Sequence, residues 1–276
     1  GDVQIVYHIA IGPVPAGTGY GIGTYGSGGY GTGSAPGQQT GTPITAIDWS
    51  LDNWQQTLLA CPDGGGLYQW TPGQGLLNAQ LIGTAPAKNT GMFIATEVQI
   101  AVLYGSTDDQ DIGIDQSQML VRWSAQGDFT DYRLNLPAGT SQAGQRLLTG
   151  GSRIVGALAS PLMNLLWTDA SVWAMQYQGA GSGVFGFNPI GYGCGLVGKH
   201  AVTRQGANVY WMSQSNFYVL GGGAPQVIPC SVWDVVFQDL NTANNPATGR
   251  PYSDKSWAWA NSPFNEVWFF FPRATT

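Results

Sequence analysis

Residues 44–70, ITAIDWSLDNWQQTLLACPDGGGLYQW, read as strand, turn, strand, tight glycine turn, strand. TLLAC (57–61) is a short apolar run, long enough for a buried strand and too short for a helix. Pro62-Asp63-Gly64-Gly65-Gly66 follows, and Asp-Gly and Gly-Gly pairs tolerate the positive φ of hairpin turns. Residues 67–70, LYQW, return with large side chains on both faces.

The rest of the chain reads as variations on this unit. IAVLY (100–104), NLLWT (164–168), NVYWMS (208–213) and VWFFF (267–271) align with TLLAC as buried strands. Each has a strand before it: 92–96, 154–159, 200–204 and 257–260. The first four buried strands are followed by a turn and an aromatic strand, as in MLVRW (119–123), SVWAMQY (171–177) and NFYVL (216–220). The period is irregular, roughly 45 to 65 residues, and the longer gaps contain visible loops. An antiparallel unit of three or four strands repeated at this period is the signature of a β-propeller blade. A single blade leaves both faces of its sheet uncovered, so several must pack around an axis. The expectation is an all-β, propeller-like fold of about five units, with a long-looped sandwich as the rival. SVWDVVFQDL (231–240) is the one good helix candidate, with Ser231 as cap and Val232, Val235, Val236 and Leu240 on one face.

Composition agrees with strands. The 276 residues include 41 Gly and 11 Trp, while charged residues make up only 9%. Lys, Glu and Arg, which normally coat exposed helices, are scarce. The formal net charge is −6, and ten scattered basic residues do not form the clustered surface that phosphate binding needs. No apolar run approaches the roughly 18 residues of a membrane-spanning helix. Cys61, Cys194 and Cys230 are an odd, sparse set without a Cys-x-x-Cys pair, so they read as small buried residues of a protein that matures in a reducing cytoplasm. No cofactor motif is present, and none is expected to bind.

Residues 1–43 read as a separate N-terminal part. VQIVYHIAI (3–11) is strand-like. Residues 12–41 are low-complexity, with Tyr20, Tyr25 and Tyr30 evenly spaced among Gly and Thr. Such a stretch cannot bury a core of its own. It reads as an extended surface loop, or as an arm whose tyrosines lie on an adjacent subunit. Residues 44–276 form the propeller-like domain. A start at Gly1 and a stop just after a strong strand read as a segment of a longer protein.

Candidate chemistry is thin. His8 and His200 sit in strand-like contexts, which are usually structural, and neither a Gly-x-Ser-x-Gly elbow nor a His-Glu-x-x-His motif occurs. Asp108, Asp109, Asp111 and Asp115 form the densest acidic cluster, but no bidentate Glu completes a calcium loop, so a solvated loop is the ordinary reading. SLDNW (50–54) is a faint Asp box of the sialidase kind, with Trp54 where the box has Gly. The arginines form no recognisable carboxylate-gripping set.

Taken together, DWSLDNWQQTLLACPDGGGLYQW (48–70), LVRWSAQGDFTDY (120–132) and the preceding Gly-Tyr-Thr run resemble structural proteins of tailed bacteriophages, of the short-tail nozzle or tail-tube type. The resemblance implies a propeller-bearing, non-enzymatic virion protein, assembled in the host cytoplasm below the portal and adaptor. It implies a ring, six copies by the family's habit, contacting the portal-side adaptor and other tail proteins without inserting in a membrane. DNA crosses such a ring without being gripped, and six copies would carry about −36, a field that repels phosphates. The Asp108–Asp115 loop is then a candidate channel-facing or inter-subunit element, and Tyr20, Tyr25 and Tyr30 a candidate subunit-contact arm. The competing expectation is a glycan-binding or glycan-cleaving propeller, such as a tail adhesin.

Overall fold

The computed structural model describes residues 48–74, 79–108, 116–134, 141–160, 163–179, 183–246 and 249–274. The chain divides into two units, Gly1–Ile47 and Asp48–Thr276. The described residues all belong to the second, so Tyr20, Tyr25, Tyr30 and His8 lie outside them.

The second unit is all-β, a propeller-like series of antiparallel sheets. Sheet 1 contains β1 (Trp49–Trp54), β2 (Thr57–Pro62), β3 (Tyr68–Trp70) and β4 (Gln80–Leu81). Sheet 2 contains β5 (Gly91–Ala95), β6 (Ile100–Tyr104), β7 (Leu120–Trp123) and β8 (Gly144–Leu147). Sheet 3 contains β9 (Ile154–Leu158), β10 (Asn164–Thr168), β11 (Ser171–Gly179) and β12 (Val184–Tyr192). Sheet 4 contains β13 (Val202–Gln205), β14 (Asn208–Met212), β15 (Phe217–Leu220) and β16 (Gln226–Ile228). Sheet 5 has only β17 (Trp257–Asn261) and β18 (Glu266–Phe270) among the described residues. Within each sheet the strands follow chain order. The first strands are neighbours across sheets, β1 beside β5, β5 beside β9 and β13 beside β17.

The unbroken apolar runs follow from burial on both faces. In β6, Ala101 and Leu103 join Leu59 and Cys61 in a core between sheets 1 and 2. The intervening Val102 and Tyr104 join Ile154 and Leu166 in a core between sheets 2 and 3. In β10, Leu166 faces sheet 2 while Leu165 and Trp167 meet Val209 and Trp211 of sheet 4. Successive strand residues point to opposite faces, so a strand buried on both cannot alternate apolar with polar. Trp167 and Trp211 meet edge to face, 5.6 Å between ring centroids, at the middle of the core between sheets 3 and 4.

Two expectations are corrected. The helix read over 231–240 is a single turn, α1 (Trp233–Phe237), and Ser231 does not cap it: the cap position is Val232, with no side-chain hydrogen bond. Val232 and Val235 are exposed, and Val236 is the buried residue of the turn. The physical reason lies just downstream. Asn241 N donates to Pro272 O, Ala274 N donates to Asp239 O, and Leu240 bridges to Arg273, so residues 239–241 are drawn into extended pairing after β18. VWFFF (267–271), expected as a buried strand, is β18 with half-buried and exposed side chains in alternation, because Phe269 packs on Phe217 of sheet 4 while Trp268 and Phe270 on the other face remain about half exposed.

Trp167→Ala should cost about 3–5 kcal/mol in urea unfolding, because it empties a fully buried site. Trp259→Ala, on a half-exposed ring, should cost less than about 1 kcal/mol in the same assay.

Candidate functional site at the entry ends of the first strands

The segments that lead into the five first strands converge at one end of the array and carry much of its charge. Asp48 precedes β1, Thr90 precedes β5, Arg153 precedes β9, Lys199 and His200 precede β13, and Asp254 precedes β17. Asp48 accepts from His200 Nε2 at 2.9 and 3.0 Å and lies 3.7 Å from Lys199 Nζ. Lys199 Nζ donates to Thr90 O at 3.2 Å. Arg153 Nη2 donates to both oxygens of Asp254, at 2.8 and 3.1 Å. Arg250, from the connector between sheets 4 and 5, pairs with Asp63 in the turn after β2, through both guanidinium Nη atoms. Each of these contacts ties sheet 1, 2 or 3 to the connectors around sheets 4 and 5.

The backbone makes this convergence fit. Residues 194–200 thread between the β10–β11 turn and the segment before β17. A Cβ on Gly195 would lie 2.2 Å from Asp169 O, and one on Gly198 would lie 2.4 Å from Asp254 O. Neither backbone atom can give way, so both positions require glycine. His200 is then fixed on three sides. Its O accepts from Ala258 N at 2.8 Å, its ring stacks on Trp257 with centroids 4.2 Å apart, and Nε2 meets Asp48. The order of first strands is also held by Asp52 in β1. Its Oδ2 accepts from Ile94 N of β5 at 2.8 Å, and its Oδ1 accepts from Asn53 N. The SLDNW segment that faintly matches an Asp box is therefore a strand whose carboxylate links two sheets.

Electrostatics follow the pairing. Burial works to raise the pKa of Asp48, but the His200 hydrogen bond and the Lys199 and His200 charges outweigh it, leaving it below the ordinary 3.8. Asp131, away from this end, is held at about 2 by its hydrogen bonds from Arg133. Burial pushes the Cys61 thiol up to about 12, which keeps it protonated and a poor nucleophile. Burial likewise raises the Tyr104 hydroxyl well above its usual range.

Among the described residues no hydroxyl or thiol hydrogen-bonds His200, and no group of three His, Cys, Asp or Glu side chains could hold a metal. Asp108 is in place, with its Oδ1 accepting from Gln145 Nε2 at 3.4 Å, while Asp109, Asp111 and Asp115 lie outside the described residues. Cys61 and Cys194 are buried free thiols and Cys230 is partly exposed. The sequence marks His200 only as a strand histidine. Its partner Asp48 is 152 residues away, a separation that no local pattern encodes. No protein-family model matches the chain, and neither does any curated protein.

Asp48 gives a pH prediction with a definite sign. Its folded pKa is depressed, so its stabilisation is complete above the unfolded value near 3.8 and is lost as pH falls through the lower folded value. Asp48→Asn should flatten the stability–pH curve in that acid window, measured by urea unfolding at a series of pH values.

Proposed function

We propose that this chain is a non-enzymatic structural subunit of a tailed-phage virion, part of a tail nozzle or tube ring through which DNA passes. The observation that carries the reading is the use made of the scarce cations. Arg153, Lys199 and Arg250 are each engaged with a carboxylate of another segment, and Arg133 and Arg273 pair with Asp131 and Asp239. Arg122 is fully buried and donates to Tyr132 O at 2.7 Å. Six of the ten Lys and Arg side chains are thus committed within the chain, which leaves fewer to offer phosphates, and the net charge of −6 repels them. A conduit needs weak contact with DNA, since each Arg–phosphate pair adds drag and salt dependence. The resemblance of residues 48–70 and 120–132 to nozzle-type proteins supplies the setting: a self-assembled ring, with adaptor and other tail proteins as neighbours, built in the host cytoplasm. The Tyr20, Tyr25 and Tyr30 arm and the Asp108–Asp115 loop are its proposed contact and channel elements.

The glycan alternative has less behind it. Sugar rings stack on coplanar aromatic platforms, but Trp259 and Trp268 meet at 80° and Trp268 and Phe270 at 61°.

Image averaging of the purified virion should place the chain in a ring below the portal. The isolated chain should not retain DNA in a gel-shift assay near physiological salt, nor turn over sialosides or host polysaccharide. Tight DNA binding that weakens steeply with salt would sink the conduit reading. Turnover abolished by Asp52→Asn would replace it with the glycan one.

A further inference from the structure

We draw no further inference here: the strongest candidate, the partly polar groove between β8 and β12 lined by Trp123, Gln145, Arg146, Phe185 and Phe187, has nothing in the structure to show what occupies it.

Discussion

The inner sheets of this protein have two apolar faces, and both are buried against neighbouring sheets. This constraint organises the rest. A strand such as β6 sends Ala101 and Leu103 one way and Val102 and Tyr104 the other, and all four are buried. A fully buried aliphatic or aromatic side chain contributes about 1.5–3 kcal/mol relative to exposure. A sheet with several such residues on each face is therefore most stable between two others. The sheets consequently stack face to face in chain order, and three cores form, one for each neighbouring pair among sheets 1 to 4. The large residues Trp54, Trp123, Trp167 and Trp211 belong to these cores because the wedge between neighbouring sheets is filled most readily by flat, bulky rings.

This logic explains which parts of the fold were legible in the sequence. The second strands of sheets 1 to 4 run through the cores and become unbroken apolar runs, so TLLAC, IAVLY, NLLWT and NVYWM could be recognised directly; VWFF was as easily recognised as a strand, but its side chains are half-buried or exposed. The fourth strand lies at the rim, where one edge and much of its surface meet water. There the apolar signal fades: β4 is Gln80-Leu81, β8 is GQRL and β16 is QVI. β12 was hidden differently. VFGFNPIGY contains Pro189, Gly186 and Gly191, which ordinarily argue against a strand, yet an outer edge tolerates a missing N–H. The apparent helix over 231–240 misled for the opposite reason. Its valines have helical spacing, but pairing of residues 239–241 with 272–274 limits the helix to one turn.

The charged end of the array was not legible at all. Asp48, Lys199, His200 and Arg250 each look isolated along the chain, and their partners lie far off in sequence. Only the order of the sheets brings them together, because every first strand begins at the same end. The glycines were a partial clue. Gly195 and Gly198 sit in GCGLVGKH, directly before the Lys199–His200 pair, and both mark close approach of one backbone to another. In a chain with 41 glycines that clue is diluted among turn glycines such as Gly64 and Gly206, which serve positive φ instead.

Apolar packing and charge divide the work between the two kinds of contact. Sheets 1 to 4 are joined face to face through apolar cores. The ties that run from sheet 1 to the connectors of sheets 4 and 5 are polar: Asp48 to Lys199 and Asp63 to Arg250 are ion pairs, and Asp48 is hydrogen-bonded to His200. Beside those ties the outer face of sheet 1 shows Trp49 and Leu51, and the outer face of sheet 5 shows Trp257, Trp259, Trp268 and Phe270, all substantially exposed. In a repeating array, terminal units that resemble the interior ones must leave their outer faces bare unless something covers them. Among the described residues these two faces are apolar like the buried ones. Sheets 1 and 5 thus keep the apolar composition of the buried sheets on their exposed faces, while the few charges tie sheet 1 to the connectors of sheets 4 and 5.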